Sequence, residues 1–255
     1  MKAKTFYYED ELNDDFAQTV NKIRPLPKNY KYVKKGIIPS FLTFIAYDVI
    51  VRPIAFLYVK IRFQVKIKNK KLLKKIKSGY FMYINHVTLV GDAFMPNILN
   101  FSNKNYIITG AQTNSLKPIL PLLRSLGSIP LPDNYSQCKD MLSCIKKRIN
   151  QNSSITIYPE KHVWPYYTKI RPFDESSFKY PVMLDSPVVS ITTCFSKKKI
   201  GKRPKITLYV DGPFYPQKDL NVKENTIYLR NQVYQSMQKR SQENSTYSVH
   251  NYIKK

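Results

Sequence analysis

The sequence is poor in glycine, and it lacks the short motifs by which several enzyme classes are identified. Only 7 of its 255 residues are glycine. No G-x-G-x-x-G or G-x-x-x-x-G-K-[ST] pattern occurs, which excludes the glycine-rich phosphate loops of dinucleotide-binding and P-loop enzymes. The G-x-S-x-G turn that presents the serine of many hydrolases is absent as well. Direct attack by a substrate hydroxyl is a chemistry that needs none of these motifs.

Cysteine is also scarce, at three residues: Cys138, Cys144 and Cys194. Their spacing matches no metal-binding pattern, and an odd number argues against a disulfide framework. We therefore expect free thiols in a reducing compartment, and no bound metal. The first fifteen residues lack the apolar core of a secretory signal, which predicts that no signal peptide is cleaved.

Acidic residues are few compared with basic ones. The chain has 42 Lys+Arg against 17 Asp+Glu, a formal net charge of +25. Residues 1–30 hold five of each sign, so the whole excess lies in 31–255. Such a charge favours anionic partners: nucleic acid, anionic lipid or phosphorylated substrates. No nucleic-acid-binding module is visible, so we do not expect nucleic acid as a partner.

The most apolar segment spans residues 36–63. A membrane-spanning helix needs about 20 apolar residues with few charges. Two short helices that lie in the membrane interface fit this segment better, and a pair of buried core helices is the alternative. Five residues interrupt the apolar run: Pro39, Asp48, Arg52, Pro53 and Lys60.

A basic segment follows directly, with nine Lys and Arg residues and no acidic residue between 60 and 77. Each cation close to an anionic membrane contributes about 1 kcal/mol to binding. We interpret the two adjoining segments as a surface for an anionic membrane, with a solvated helix face as the alternative. The predicted location is the cytoplasmic face of the membrane, with peripheral or monotopic attachment.

Between residues 79 and 215, short apolar runs alternate with helical patterns. This alternation predicts an α/β fold with a mixed, largely parallel sheet that is covered by helices. In such folds ligands bind beyond the carboxyl ends of the strands. The predicted strands are 81–84, 106–109, 154–158, 188–194 and 206–210, and the predicted helices are 92–99, 116–126 and 136–150.

The chain is predicted to divide into four parts. Its start and end are polar, and a helical pattern over 217–243 closes the fold. The four parts are a polar lead-in over 1–35, membrane-associated helices over 36–65, an α/β domain over 66–215, and a C-terminal helix with a polar tail over 216–255.

His86, one of only three histidines, stands at the end of the first predicted strand, and Asp92 follows six residues later. A histidine that is oriented by a carboxylate can deprotonate a hydroxyl. On one continuous helix the two residues would face different directions. They meet only if the chain turns between them, and Gly91 supplies freedom for such a turn. The alternative is that Asp92 only caps a helix and His86 only satisfies the strand end.

Four motifs follow one another along the chain. They are N-H-V-T-L-V-G-D at 85–92, G-S-I-P-L at 127–131, Y-P-E at 158–160 and S-P-V-V at 186–189. Over about residues 80–200 their order and spacing resemble the lysophosphatidate acyltransferase family of glycerolipid acyltransferases. That family carries N-H-x-x-x-x-D, a Gly-led block, F/Y-P-E-G and a V-P-V-like strand, and membrane-associated helices precede the first motif. The resemblance implies a glycerol-3-phosphate acyltransferase-like fold.

Two departures from the family pattern concern the first and third motifs. Five residues separate His86 from Asp92 instead of four, with Gly91 as the apparent insertion. Lys161-His162 stands where a Gly and an Arg normally follow the third-motif Glu. A bacterial branch of the superfamily resembles this chain in both N-H-x-x-x-x-G-D and Y-P-E-x-H-x-W-P-Y-Y-T-x-I-R. The departures leave the acceptor open more than the acyl-transfer chemistry.

The resemblance implies a role for several individual residues. His86 would deprotonate the acceptor hydroxyl, and Asp92 would hold the imidazole tautomer and stabilise the imidazolium. Glu160 matches the motif Glu implicated in acceptor binding, and His162 is interpreted as structural. The family's following Arg has no match, so the phosphate-binding role is assigned from charge alone. The predicted substrate-binding residues are Asn85, Glu160, Lys161, Lys169 and Arg171.

The function implied by the resemblance is acyl transfer from a thioester donor to the hydroxyl of a lysophospholipid, 1-acylglycerol-3-phosphate, which gives phosphatidate. The donor, acyl-CoA or acyl carrier protein, is a co-substrate, and no cofactor is expected. Two alternatives stay open. One keeps the chemistry but uses another lysolipid or an amino-lipid as acceptor, and the other is a non-catalytic basic protein that binds membrane or nucleic acid.

Overall fold

A computed structural model describes residues 2–17, 24–33, 45, 49–50, 52–99, 103–115, 123, 127–198 and 203–255. Its helices are α1 (Arg52–Tyr58), α2 (Lys71–Lys75), α3 (Gly91–Leu99), α4 (Tyr135–Asn150), α5 (Lys179–Met183) and α6 (Val222–Asn244). Its strands are β1 (Thr5–Tyr8), β2 (Lys66–Lys68), β3 (Tyr80–Ile84), β4 (Asn105–Thr109), β5 (Ser128–Pro130), β6 (Ser154–Ile157), β7 (Val188–Ser196), β8 (Lys205–Phe214) and β9 (Asn251–Lys254). A π-helical turn covers Val59–Phe63, and 3₁₀ turns cover Ala111–Ser115 and Ser176–Phe178.

Seven strands form one sheet in the order β2-β8-β7-β3-β6-β4-β5. β3 pairs in parallel with β6 and β7, and β4 pairs in parallel with β6 and β5. β8 runs antiparallel to β7 and parallel to β2. The predicted α/β fold with a mixed, largely parallel sheet is therefore confirmed.

The central strands are apolar on both faces because helices cover both faces. All five side chains of β3 are buried. Met82 and Ile84 pack on one face with α3, whereas Phe81 and Tyr83 pack on the other with α4 and α6. This double burial fixes the carboxyl end of β3, from which the chain continues to His86.

The helices begin where polar side chains cap them. Asn134 precedes α4, and its side chain accepts a hydrogen bond at 3.0 Å from the backbone N–H of Gln137. Asn221 and Glu224 form a capping box at the start of α6. The predicted closing helix over 217–243 is therefore present, with its start moved to the residue after the cap.

The two ends of the chain pair with each other as a two-stranded parallel sheet, in which Thr5 of β1 lies opposite Asn251 of β9. The sequence pattern indicated only a polar lead-in and a polar tail, because each strand has just four residues. His250, which the sequence leaves without a role, is buried, and its Nδ1 accepts the backbone N–H of Lys4 at 3.2 Å. The N-terminal segment (residues 2–17) is thereby tied to the end of the chain.

The predicted membrane-associated helices over 36–65 are described only in part, at residues 45, 49–50 and 52–65. Within that range the structure describes α1 and the π-helical turn after it, and Ile54, Leu57 and Ile61 are exposed there. In the part of the chain that the structure describes, no helix is both long and apolar enough to cross a membrane. The helix predicted over 116–126 also lies outside the described residues, apart from residue 123.

Candidate active site

A cavity of about 600 Å³ opens beyond the carboxyl ends of β3, β6 and β4. This edge of an α/β sheet is where ligands bind. Many of the lining side chains are apolar, which suits a fatty or otherwise hydrophobic ligand. Those from α3 and the nearby strands and loops include Leu89, Phe94, Ile107, Ile108, Leu131 and Ile157.

His86 and Asp92 meet at the wall of this cavity. His86 Nδ1 lies 2.7 Å from Asp92 Oδ2. The Asp92 side chain is buried, whereas the imidazole keeps 18% of its surface exposed. A carboxylate partner on Nδ1 selects the tautomer in which that nitrogen carries the proton and Nε2 carries a lone pair. The pairing expected from the sequence is therefore present in the geometry.

The Asp92 carboxylate is held in place by Thr88. The backbone N–H of Thr88 donates to Oδ2 at 2.9 Å, and the Thr88 hydroxyl donates to Oδ1 at 2.5 Å. Asp92 lies in the first turn of α3, and its own N–H donates to the Thr88 carbonyl at 3.1 Å. The carboxylate thus accepts three hydrogen bonds, and the start of the helix fixes its direction toward His86.

Gly91 acts through its small size rather than through backbone freedom. Its φ lies outside the left-handed region, and it is the first residue of α3. A Cβ at this position would stand 2.5 Å from Thr88 Oγ1 and 2.6 Å from Met95 Cε. The interpretation that Gly91 supplies freedom for a turn is therefore wrong. The glycine instead lets the helix approach the Thr88 side chain that binds Asp92.

Tyr158 supports both partners of the pair. Its ring stacks on the His86 imidazole, with centroids 4.3 Å apart and planes 25° apart. Its hydroxyl donates to the Asp92 backbone carbonyl at 2.6 Å. Burial raises the pKa of Tyr158 well above its ordinary value, so the hydroxyl stays a donor. In the sequence Tyr158 is only the first residue of the Y-P-E motif. Nothing in that motif indicated that its ring would stack on His86 or that its hydroxyl would bind the Asp92 carbonyl.

Glu160 is buried behind His86 and does not line the cavity. Its Oε2 accepts the backbone N–H of His86 at 2.8 Å, and its Oε1 accepts the backbone N–H of Arg171 at 2.8 Å. Burial raises the pKa of Glu160, while Arg171 and the two backbone donors favour the carboxylate. Because both oxygens are used inside the protein, this placement favours positioning of His86 over direct contact with an acceptor.

Arg171 lies behind Glu160, with 1% of its surface exposed. Its guanidinium donates to the backbone carbonyls of Glu11, at 3.1 Å, and of His162. It also lies over the Trp164 ring, 4.9 Å from the centroid, and 3.8 Å from Glu160 Oε2. Such a buried and fully surrounded group is unsuited to the predicted contact with a substrate phosphate.

Asn85 and Lys169 also lie off the cavity wall. Asn85 is buried, and its side chain donates to the Thr193 carbonyl at 3.2 Å and accepts the Thr193 N–H at 2.8 Å. It therefore joins the end of β3 to β7. Lys169 is exposed to solvent. The substrate-binding role of both residues stays a prediction to which this geometry adds no support.

Lys161 is the predicted substrate-binding residue that does line the cavity. Its ammonium donates to Asp174 Oδ2 at 2.7 Å. Burial alone would raise the pKa of Asp174, but hydrogen bonds from Lys161 and Ser176 lower it to about 2. The cavity wall therefore carries a charged pair. His162 lines the cavity too, with Nδ1 3.5 Å from Asp15 Oδ2.

The cysteines take no part in this site. Cys144 and Cys194 are buried and Cys138 is exposed, all three as free thiols. Burial raises the pKa of Cys194 to about 12, so its thiolate is not accessible at neutral pH. Over the described ranges, no three His, Cys, Asp or Glu side chains are grouped so that they could hold a metal ion. That the reaction needs no cofactor stays a prediction.

A family model named Acyltransferase matches residues 64–193, about half of the chain. The chain belongs to the acyltransferase family. Its fold is also similar to the crystal structure of the 1-acyl-sn-glycerophosphate (LPA) acyltransferase PlsC from Thermotoga maritima. That similarity has a TM-score of 0.55 and 15% sequence identity, and it covers 79% of this chain and 88% of that chain. No curated protein matches the sequence.

The acyltransferase match includes all four motifs, from 85–92 to 186–189. The prediction that the chain is an acyltransferase is thereby confirmed. An acyl donor and a lipid acceptor follow from the family.

The acyltransferase keeps the backbone turn of the third motif without its usual glycine. Lys161 follows Glu160 and has φ 64°, in the left-handed region. Glycine adopts this region readily, which explains its place in the family pattern. A lysine here costs about 1 kcal/mol. The departure from the pattern therefore changes the side chain at the cavity wall and leaves the turn intact.

Proposed function

We propose that this acyltransferase moves a fatty acyl group from a thioester donor to the hydroxyl of a lysophospholipid. The expected acceptor is 1-acylglycerol-3-phosphate and the product phosphatidate. The observation that carries the proposal is the 2.7 Å contact between His86 and Asp92 at the wall of a largely apolar cavity. The described function of the structurally similar PlsC, an LPA acyltransferase, agrees with this acceptor.

In the proposed mechanism His86 Nε2 removes the proton from the acceptor hydroxyl. The oxygen then attacks the thioester carbonyl, and a tetrahedral intermediate forms. When the C–S bond breaks, the imidazolium returns its proton to the departing thiolate, so the protein ends unchanged. Throughout the cycle the Nδ1–H group of His86 donates a hydrogen bond to the Asp92 carboxylate. The negative charge of the carboxylate stabilises the imidazolium. Acyl-CoA and acylated acyl carrier protein both supply the required thioester.

Replacement of His86 tests this mechanism directly. The purified protein is incubated with 1-acylglycerol-3-phosphate and either acyl-CoA or acylated acyl carrier protein, and the lipid products are measured by mass spectrometry. His86→Ala should lower the rate by about 10³-fold, because a general base contributes 10²–10⁴-fold. Tyr135→Ala removes an exposed ring that does not line the cavity and should leave the rate unchanged. A folded His86→Ala protein with the wild-type rate would refute the mechanism.

A second acceptor class is favoured by the charges on the cavity wall. Lys161 is the single Lys or Arg among the described lining residues, whereas two carboxylates, Asp92 and Asp174, line the same cavity. Because the carboxylates outnumber the lysine, an acidic phosphate head group gains little at such a wall. The ammonium group of a lysolipid or amino-lipid can instead take the place of Lys161 at Asp174. A panel of acceptors with one fixed donor separates the two classes. Asp174→Asn should lower kcat/KM for ammonium-bearing acceptors and not for 1-acylglycerol-3-phosphate.

The proposed location is the cytoplasmic face of an anionic membrane, with peripheral or monotopic attachment. Ile54, Leu57 and Ile61 are exposed, and Lys60 and Arg62 lie beside them. Apolar side chains enter the interface while cations meet anionic headgroups. Sedimentation with phosphatidylglycerol and phosphatidylcholine vesicles is the test.

Stronger binding to the anionic vesicles is expected, with loss of binding at high salt. Ile61→Ser should weaken vesicle binding by about tenfold. Val222→Ser changes another exposed apolar residue, which lies on α6, and should not weaken vesicle binding. Equal binding to both kinds of vesicle would contradict the proposed attachment.

A further inference from the structure

A chain of hydrogen bonds leads from the backbone of His86 to the N-terminal segment. The His86 N–H donates to Glu160 Oε2, and Glu160 Oε1 accepts the N–H of Arg171, both at 2.8 Å. The Arg171 guanidinium then donates to the backbone carbonyl of Glu11 at 3.1 Å. These contacts connect β3, the loop after β6 and the start of the chain.

Trp164 provides a second, parallel connection. Its backbone N–H donates to the His86 carbonyl at 3.0 Å, and its indole N–H donates to the Asp14 carbonyl at 2.8 Å. Its ring stacks on Tyr252 of β9, with centroids 5.1 Å apart and planes 4° apart. The backbone N–H and carbonyl of His86 are therefore both bound by the loop after β6, and both ends of the chain bind that loop.

None of these supporting residues reaches the cavity wall. Glu160, Trp164 and Arg171 are all at least 97% buried, and none of them lines the cavity. The Glu160 carboxylate, the Trp164 indole N–H and the two terminal nitrogens of Arg171 are bound to backbone groups, so a substrate cannot displace them without breaking buried hydrogen bonds. They are placed to set the position of His86 rather than to touch a substrate.

We infer that Arg171 and the N-terminal segment act, through Glu160 and Trp164, as positioning elements that set His86 for acyl transfer. This inference rests on the proposed function. A base displaced by a fraction of an ångström loses alignment with the acceptor hydroxyl, and a 1 Å error costs about 100-fold in rate. Because the cavity wall is unchanged, substrate binding should be affected much less than turnover.

Two variants of the full chain test the inference. Arg171→Lys keeps the charge but loses the fork that reaches Glu11 and His162, and Trp164→Phe keeps a ring but loses the bond to Asp14. Each should lower kcat by about 10- to 100-fold and leave KM for donor and acceptor within about twofold.

Arg240→Lys is the matched control. Arg240 forms a bidentate contact with Asp211, at 2.7 and 2.8 Å, on α6 and β8. Loss of that contact should lower the melting temperature without changing kcat. If Arg171→Lys does not fold, Trp164→Phe decides whether these contacts position His86, since it removes the indole hydrogen bond to Asp14 and leaves an aromatic ring beside Tyr252.

A readout independent of turnover is the ¹H NMR spectrum of the His86 ring at fixed pH, assigned by comparison with His86→Asn. In the positioning variants the chemical shifts of the His86 ring protons should change, while in Arg240→Lys they should stay at the wild-type values. Folded variants with wild-type kcat and unchanged His86 ring shifts would overturn the inference. If the wild-type protein transfers no acyl group, the proposed function fails, and the NMR comparison still decides the positioning role.

Discussion

The imidazole of His86 is held on three sides. Asp92 binds Nδ1, the Tyr158 ring covers one face, and Glu160 accepts the backbone N–H. A ring that cannot rotate presents its second nitrogen in one direction, so the acceptor hydroxyl meets a base that is already aligned. The three partners come from α3 and from the residues after β6. The site thus depends on how these two elements meet at the edge of the sheet.

Asp92→Asn is expected to reduce kcat by about 10³- to 10⁴-fold while the protein still folds. An asparagine can place its NH₂ against Nδ1 and so favour the tautomer that carries the proton on Nε2, where the lone pair is needed. Its carbonyl oxygen can still accept a hydrogen bond from Thr88, so the start of α3 should persist. The measurement is kcat for acyl transfer together with the circular dichroism spectrum.

Asp140→Asn is the control for this substitution, since Asp140 is exposed on α4. It should behave as the wild type in both measurements. An Asp92→Asn protein that retains more than about a tenth of the wild-type kcat would contradict the tautomer argument.

The meeting of His86 and Asp92 could be anticipated from the sequence, whereas the direction of the neighbouring side chains could not. Asn85, Glu160 and Arg171 stand in or near motifs at strand ends, where a polar side chain faces either the cavity or the protein interior. The motif gives the position along the chain but not the partner of the side chain. The structure binds all three to backbone groups, a pairing that depends on neighbours distant in sequence.

At the scale of elements, the strands at the centre of the sheet could be predicted because each is a continuous apolar run. β3, β4, β6 and β7 lie where the sequence indicates them. β2 and β5 have three residues each, too few for a periodic signal, and β1 and β9 are short and partly polar. The antiparallel direction of β8 could not be predicted from the sequence either, because apolar periodicity does not encode strand direction.

Tyr158→Phe tests how β6 and α3 are joined. The Tyr158 hydroxyl is the donor to the Asp92 carbonyl, and its loss should lower the free energy of unfolding by about 1 kcal/mol. The ring that stacks on His86 remains, so kcat should fall by about tenfold rather than disappear. Urea unfolding and steady-state kinetics measure the two effects.

Tyr135→Phe serves as the control for this change, since the Tyr135 ring is exposed at the start of α4. No change in unfolding or kcat is expected from it. If Tyr158→Phe matched this control in kcat, the hydroxyl would have no part in holding the site.

At the scale of the whole molecule, both ends of the chain contribute to the surroundings of the site. β1 and β9 pair with each other, and Phe16 and Tyr252 pack their rings against Trp164. A domain defined only by the motifs would omit these contacts. The terminal segments are polar enough to resemble a lead-in and a tail, yet their aromatic side chains cover the loop that binds His86.

His250 makes the pairing of the two chain ends sensitive to pH. Burial, and then the charge of Lys4, lower the pKa of His250 from its ordinary value of 6.5. Below about pH 6.5 the unfolded chain binds a proton that the folded protein resists, so this group reduces stability as the pH falls. The wild-type melting temperature should therefore drop between about pH 7.5 and pH 5.5. His250→Asn keeps an acceptor for the Lys4 N–H without a titrating ring, so its melting temperature should drop less. Equal drops in the two proteins would show that His250 does not link the chain ends to pH.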